Sequence, residues 1–170
     1  PLSKTGELVN APYSDKQIAI NDLIEILQNK KFIAGKIPER LKNNIECYDI
    51  LENEEYAILN AIPSAEGAIQ IAMEEYPKTI SGSNILVMGF GRIGKILAKM
   101  LQGLGANVYC EARKNEDLAY IKAFGYKEID LKDLDNYLNK FDIIFNNIPT
   151  KILGKHRLNL VKKDVLIIDL

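Results

Sequence analysis

The clearest pattern in the chain is a short apolar run that leads into a glycine-rich turn and then into a helical repeat. Residues 84–88 read Asn-Ile-Leu-Val-Met, which predicts a buried strand. Gly89, Gly91 and Gly94 follow with the spacing G-x-G-x-x-G. After the turn, apolar residues recur every three or four positions, which predicts a helix with one buried face. These residues are Ile93, Ile96, Leu97, Met100, Leu101 and Leu104.

The alternation of strands and helices continues to the end of the chain. The middle of one predicted strand, residues 143–145, is continuously apolar, as in strands that are buried on both faces of a parallel sheet. The pattern predicts an α/β fold with a doubly wound parallel sheet of the Rossmann type. The predicted strands after the turn are 107–112, 126–129, 142–146 and 164–170, and the predicted helices are 115–124, 131–139 and 155–160.

The residues before the turn predict a smaller set of alternating elements. Ser14 and Gln17 fit a capping box at the start of a helix. Ser64 directly follows Pro63 and is predicted to be the N-cap of a second helix. The predicted elements are a loop at 1–13, helices at 15–29 and 64–76, a brief helix or turn at 38–43, and strands at 32–34, 46–51 and 56–59.

These elements predict three parts in the chain. Residues 1–62 are expected to form part of a second, N-terminal α/β domain on the substrate side, and residues 63–83 an inter-domain helix and linker. Residues 84–170 are expected to form a nucleotide-binding domain that is truncated at its C-terminal end. Because the chain stops on an apolar strand, we expect it to be part of a longer protein.

Composition and charge narrow the class of protein. The net charge of −1 argues against a nucleic-acid or anionic-membrane partner. No apolar run approaches the roughly 20 residues of a membrane-spanning helix, and we expect a cytoplasmic protein. The two cysteines, Cys47 and Cys110, match no metal-binding or redox spacing, so we expect no metal site.

A glycine fingerprint between a strand and a helix is typical of dinucleotide-binding sites. Gly89 would permit the tight turn, Gly91 would let a diphosphate approach the backbone, and Gly94 would let helix and strand pack closely. The free N–H groups at the start of the helix would face the phosphates. The alternative is a purely structural glycine turn. The residues predicted to contact the cofactor here are Gly89, Phe90, Gly91, Arg92, Ile93 and Gly94.

The end of the next predicted strand bears on the choice of cofactor. An acidic residue about 20 positions after the first glycine binds the ribose 2′-hydroxyl of NAD. Aligned on the 2-hydroxyacid dehydrogenase pattern, which these motifs resemble, the chain has Ala112 in that position. Glu111 is predicted to face the other side of the strand, whereas Arg113 and Lys114 would pair with a 2′-phosphate. We therefore expect NADP; NAD is the alternative if Glu111 reaches the ribose.

Two further segments are candidates for the substrate cleft. Asn146, Asn147 and Pro149 end a predicted strand, where an amide-rich turn would contact the nicotinamide ribose or the substrate; the alternative is a plain turn. Ser64 and Glu66 open a predicted helix, where they would bind a carboxylate or transfer a proton. The alternative is that they only stabilise the helix start. Glu66 is a weak candidate for the catalytic residue, which is otherwise unassigned.

Longer segments of the chain resemble the A subunits of dipicolinate synthases, and the resemblance extends from about residue 3 to residue 170. Its more specific parts are residues 60–75 and the corner formed by residues 112–114, whereas the glycine fingerprint is shared by many dehydrogenases. The resemblance implies an NADP-linked oxidation of a dihydrodipicolinate-type precursor, hence a small dicarboxylate substrate, in the cytoplasm of the mother cell of a sporulating bacterium. It also implies a partner, the B subunit of dipicolinate synthase, and we expect a homo-oligomer.

Two other functions fit the same sequence. The first is a different 2-hydroxyacid dehydrogenase-like enzyme that acts on another small acid. The second is a nucleotide-binding regulatory subunit whose chemistry belongs to a partner.

Overall fold

The computed structural model describes residues 15–16 and 18–170. The predicted loop at residues 1–13 and the predicted capping box of Ser14 and Gln17 therefore lie outside the described residues. Within this part of the chain, no helix combines the length and apolar character needed to cross a bilayer.

The chain divides into two compact units, Pro1–Ala57 and Ile58–Leu170. In the first unit, two short strands pair in parallel, β1 (Phe32–Ala34) and β2 (Cys47–Asp49). The domain limits expected from the sequence stay a prediction. The unit also contains α1 (Ile20–Leu27), α2 (Glu39–Lys42) and a 3₁₀ turn (Ile50–Glu52), and its core is formed by Ile20, Ile37, Leu41 and Ile45.

One long helix, α3 (Glu54–Glu75), follows where the sequence predicted a strand and then a separate helix. The strand prediction at residues 56–59 is therefore wrong, and Ser64 is not an N-cap, because Pro63 lies inside the helix. Proline removes one helical hydrogen bond. The helix continues through Pro63 because it buries a stripe of small and apolar residues both before and after this position. These residues are Ala61, Ala65, Ala68, Ile69 and Ala72.

The second unit contains a sheet of five parallel strands, as the sequence predicted. The strand order is β5-β4-β3-β6-β7, so the direction of winding reverses between β3 and β6. The strands are β3 (Asn84–Met88), β4 (Asn107–Ala112), β5 (Lys127–Asp130), β6 (Ile143–Asn146) and β7 (Leu166–Asp169). The helices after α3 are α4 (Arg92–Gly103), α5 (Asn115–Ala123) and α6 (Lys155–Leu158).

Alternate residues of the central strand β3 face two separate core layers. Ile85 and Val87 belong to a layer with residues of α3, α4 and α5. Leu86 and Met88 belong to a layer with the segment between β5 and β6. Because β3 is buried on both faces, it holds the glycine turn that follows it in a fixed position.

The helix predicted at residues 131–139 is wrong: the segment forms two 3₁₀ turns, Leu134–Asn136 and Leu138–Lys140. Leu134 and Leu138 are buried four positions apart, which imitates helical spacing. The segment is also rich in Asp and Asn, which compete with helix formation by bonding the local backbone. The Asp130 carboxylate illustrates this, since it accepts the N–H of Lys132 at 3.0 Å.

Asp142 connects the starts of β3 and β6. Its Oδ2 accepts the backbone N–H of Asn84 at 2.9 Å, and its Oδ1 lies 2.7 Å from Nζ of Lys162. Burial tends to raise the pKa of Asp142, but the Lys162 ammonium and the Asn84 N–H outweigh it and hold that pKa below the usual range. The ionised carboxylate therefore stabilises the folded sheet.

We expect Asp142→Asn to lower the free energy of unfolding by about 1 to 3 kcal/mol near neutral pH, because hydrogen bonds to a charged group are lost. The pKa of Asp142 is lowered in the folded protein. Its contribution to stability is therefore complete above the pKa of about 3.9 in the unfolded chain, and it is lost as the pH falls through the pKa in the folded protein. Urea unfolding at about pH 7 and about pH 3 measures both effects. Asp164→Asn is the control, because Asp164 forms an exposed ion pair with Lys78 at 4.0 Å. Equal losses for both variants at neutral pH would contradict the expectation.

Candidate nucleotide-binding site

The glycine turn lies at the carboxyl end of β3, beside the point where the strand order reverses. In the sheet register, Met88 at the end of β3 is paired with Glu111 of β4 on one side and with Asn146 of β6 on the other. The residues after β3, β4 and β6 therefore meet at one edge of the sheet. In open α/β sheets this is the place where ligands bind.

Gly89 and Gly94 are each required by the local geometry of the turn. Gly89 has a φ of +85°, and a Cβ there would lie 2.9 Å from Cγ1 of Ile148. A Cβ on Gly94 would overlap the carbonyl oxygen of Gly89. A side chain at Gly94 would push α4 away from the turn, whereas one at Gly89 would strain the backbone and displace the segment after β6, so these two glycines fix the shape of the turn.

Gly91 differs, because a Cβ at this position would meet no atom of the protein within 4 Å. The fold itself gives no steric reason for glycine there, whereas a bound diphosphate would. Gly91 is also the N-cap of α4 without a side-chain capping bond, and the first turn of α4 holds no acidic residue. At any helix start the first N–H groups have no acceptor within the helix, and in α4 these include the N–H groups of Ile93 and Gly94. This arrangement fits a dinucleotide diphosphate.

Phe90 lies in the turn, but its side chain is buried in the core. Its ring lies 6.3 Å from the rings of both Phe124 and Tyr126, measured between centroids. Phe90 therefore offers only its backbone to a ligand at the turn, and its side chain anchors the turn to the core.

Asn147 follows β6 and holds the turn from the other side. Its Nδ2 donates to the carbonyl oxygen of Met88 at 2.6 Å and to that of Gly89 at 3.1 Å. Its backbone N–H also donates to the Met88 carbonyl at 3.2 Å. The amide group thus ties β6 to the end of β3, a role that sequence reasoning missed. Its predicted contact with the cofactor stays a prediction.

Glu111 is the second residue whose role the sequence did not indicate. Its side chain is buried, and its Oε2 accepts the N–H of Gly89 at 3.1 Å. Burial raises the pKa of the Glu111 carboxyl, and the bond from Gly89 and the charges of Arg113 and Arg157 offset only part of this increase. The carboxyl group therefore binds the backbone of Gly89 from within the core instead of extending into solvent.

The residues after Glu111 present positive charge. Ala112, which stands in the position of the acidic NAD-binding residue, is buried in the core. Arg113 and Lys114 are exposed, and α5 begins directly after them at Asn115. Two cations at the start of a helix suit a phosphate group better than a neutral ribose hydroxyl.

A cleft of about 470 Å³ lies at the carboxyl ends of β6 and β7. Asn146 and Pro149 are among its lining residues, together with Thr150, Lys151 and Asp169. Nδ2 of Asn146 donates to Oδ1 of Asp169 at 2.6 Å across the mouth of the two strands. The cleft combines polar groups with apolar walls, as small-molecule sites do.

The other predicted cleft residues lie within α3. The hydroxyl of Ser64 donates to the Asn60 carbonyl at 3.1 Å, a local bond inside the helix. Glu66 is exposed, and a Cβ on the neighbouring Gly67 would meet nothing within 4 Å. Their contact with a substrate stays a prediction. Among the described residues, no group of three or more His, Cys, Asp or Glu side chains could hold a metal ion.

Comparison with known proteins identifies a family and several relatives. Residues 63–170 match the family model described as D-isomer specific 2-hydroxyacid dehydrogenase, NAD binding domain. The A subunit of dipicolinate synthase from Bacillus subtilis is 36% identical over 179 aligned residues, which cover 100% of this chain and 60% of that protein. The resemblance seen in the sequence is thereby confirmed. The chain spans 60% of the length of this curated relative.

Solved structures give the same result. The A subunit of dipicolinate synthase from Bacillus halodurans superimposes with a TM-score of 0.84 at 26% identity, covering 99% of this chain and 60% of that one. The corresponding dipicolinate synthase structure from Bacillus subtilis gives a TM-score of 0.79 at 29% identity, covering 94% of this chain and 56% of that one. The predicted fold class is confirmed.

We expect Gly94→Ala to destabilise the protein by about 1 to 3 kcal/mol, because the added methyl group meets the Gly89 carbonyl oxygen and must displace α4. Gly103→Ala at the end of the same helix is the matched control, since a Cβ there meets nothing within 4 Å. It should leave stability unchanged or raise it by up to about 1 kcal/mol. Thermal or urea unfolding of both variants measures the difference, and equal stabilities would refute the steric role of Gly94.

Proposed function

The chain belongs to the family of D-isomer specific 2-hydroxyacid dehydrogenase NAD-binding domains, and we propose that it acts as an NADP-dependent oxidoreductase subunit that forms dipicolinate. The substrate would be a dihydrodipicolinate-type precursor. The observation that carries the proposal is the open helix start at Gly91 beside the exposed cations Arg113 and Lys114. The similarity to A subunits of dipicolinate synthases over the full chain supports the choice of reaction.

The cofactor would lie along the turn, with its diphosphate on the N–H groups of residues 92–94. The family supports a nicotinamide cofactor in general. Three features support NADP in particular: the buried methyl group of Ala112, the inward carboxyl of Glu111 and the two exposed cations. Arg113 would hold the 2′-phosphate through paired N–H groups, and Lys114 would add a second charge.

Arg113→Ala should weaken the binding of NADP by about 10- to 100-fold and that of NAD by less than about threefold, because only NADP carries the 2′-phosphate. Titration calorimetry with both dinucleotides measures the two dissociation constants. Lys122→Ala is the control: it removes an exposed cation from the same region, on α5, that pairs with Glu128 at 3.6 Å. It should change neither constant. Tighter binding of NAD than of NADP by the unaltered protein would contradict the assignment of NADP.

The substrate would lie near the cleft at the ends of β6 and β7. Asn146 and Pro149 line this cleft, and Lys151 would offer a positive charge to a substrate carboxylate. Ser64 and Glu66 complete the proposed substrate residues, and Glu66 is the proposed proton acceptor. When bound, NADP would supply the hydride acceptor, and loss of a hydride and a proton would make the pyridine ring of the product aromatic.

The proposal includes a partner and a place in the cell. The relatives from Bacillus subtilis and Bacillus halodurans are A subunits of dipicolinate synthase, which supports the proposal of a partner subunit. The B subunit of dipicolinate synthase is the proposed partner, and a homo-oligomer is the proposed assembly of this chain. The reaction would take place in the cytoplasm of the mother cell during sporulation.

A spectroscopic assay of NADPH formation from the dihydrodipicolinate-type precursor tests the function, with and without the B subunit. We expect NADPH formation that depends on the precursor, and a decrease of about 100-fold or more for Glu66→Gln. Glu75→Gln at the end of the same helix is the control and should retain activity. Unchanged turnover of Glu66→Gln would exclude Glu66 as the proton acceptor. If NADPH forms only from other 2-hydroxyacids, the protein is a different dehydrogenase. If no acid supports NADPH formation, a regulatory role is favoured.

A further inference from the structure

Glu111 is a buried carboxyl group to which the proposed function assigns no contact with cofactor or substrate. Its side chain is 1% exposed. Oε2 accepts the N–H of Gly89 at 3.1 Å, whereas Oε1 is buried without a hydrogen-bond partner in the described part of the chain. A carboxylate in such a place has lost its hydration and regained little in exchange. Its protonation state is therefore sensitive to any charge that arrives at the turn.

Three charged groups act on Glu111: Arg113 after β4, Arg157 on α6, and Asp130 at the end of β5. Asp130 opposes the ionised form, and the two arginines favour it. Arg157 is already paired, since its Nε donates to Oδ1 of Asp135 at 2.6 Å. Arg113 is exposed and would turn to the cofactor phosphate. The two arginines that favour the ionised form of Glu111 thus also interact with other anions.

We propose that dinucleotide binding at the glycine turn is coupled to protonation of Glu111, so that the protein takes up a proton when it binds the cofactor. The inference rests on the proposed function, because it requires a diphosphate at the start of α4. Such a diphosphate adds negative charge close to the Glu111 carboxyl, and the 2′-phosphate of NADP competes with that carboxyl for Arg113. Both effects favour the neutral acid. Glu111 is thus a positioning residue that holds Gly89, and the charge of the Glu111 carboxyl depends on whether the turn holds a dinucleotide.

This coupling gives the affinity a defined pH dependence. Burial already raises the pKa of Glu111 above its ordinary value of about 4.3 in the free protein, and the bound diphosphate raises it further. The affinity for the dinucleotide is therefore highest below the pKa that Glu111 has in the free protein. As the pH rises from that value to the pKa of Glu111 in the complex, the affinity falls by up to about tenfold per pH unit. Above the pKa of Glu111 in the complex, the affinity no longer changes with pH.

Titration calorimetry from about pH 5 to pH 8.5 tests the inference, with NADP as the ligand and Glu111→Gln as the variant. The 2′-phosphate of NADP also titrates, but it contributes equally to both proteins. We expect the ratio of dissociation constants, unaltered protein over Glu111→Gln, to rise with pH by about tenfold or more across this range. Glu128→Gln on the neighbouring strand β5 removes an exposed carboxylate and should follow the unaltered protein.

A second measurement needs no variant. NAD lacks the titrating 2′-phosphate, so its binding to the unaltered protein in buffers of different ionisation enthalpy reports proton uptake directly. We expect uptake of a fraction of a proton that passes through a maximum with pH. Binding of NAD without proton uptake, or a pH-independent ratio for Glu111→Gln, would overturn the inference and leave the proposed function intact. Absence of binding of either dinucleotide at every pH would overturn both.

Discussion

The nucleotide-binding turn depends on one close contact, the approach of Gly94 on α4 to the carbonyl oxygen of Gly89. This contact leaves no room for a Cβ, and it sets the angle at which the helix leaves the buried strand β3. Two side chains from neighbouring strands then hold Gly89: Asn147 bonds its carbonyl oxygen, and Glu111 accepts its N–H. Three strands of the sheet therefore determine the position of a single residue. The N–H groups at the start of α4 are presented in a fixed direction as a consequence.

The charges at this edge of the sheet are arranged by burial. The carboxyl group of Glu111, next to the turn, is directed inward, and the position after it is a buried alanine, Ala112. Arg113 and Lys114 remain in solvent, so the surface beside the turn is positive. An acidic residue does not by itself indicate NAD, because its direction decides whether it can reach a ribose hydroxyl. In this chain the same carboxyl supports the turn and is a candidate for proton coupling.

The order and type of most elements could be predicted from the sequence, since strands that are buried on both faces leave a continuous apolar signal. The strand predicted at residues 56–59 was wrong because the β propensity of Tyr56 and Ile58 is a weak local preference. The segment instead continues the first turn of α3, where the Asn53 side chain accepts the N–H of Tyr56 at 3.0 Å. The segment at 131–139 imitated helical spacing through two leucines. The hydrogen bonds of Asn147 and Glu111 could not be predicted, because they join residues that are distant in the chain and depend on strand register. Only the sheet order brings these residues together.

The proposed function requires a dinucleotide diphosphate that rests on the backbone at the start of α4. A crystal structure of the protein with saturating NADP tests this most directly. We expect diphosphate oxygens within about 3.2 Å of the N–H groups of residues 92–94, and the 2′-phosphate beside Arg113. A complex in which this turn is blocked by a side chain, or in which the diphosphate lies elsewhere on the protein, would contradict it.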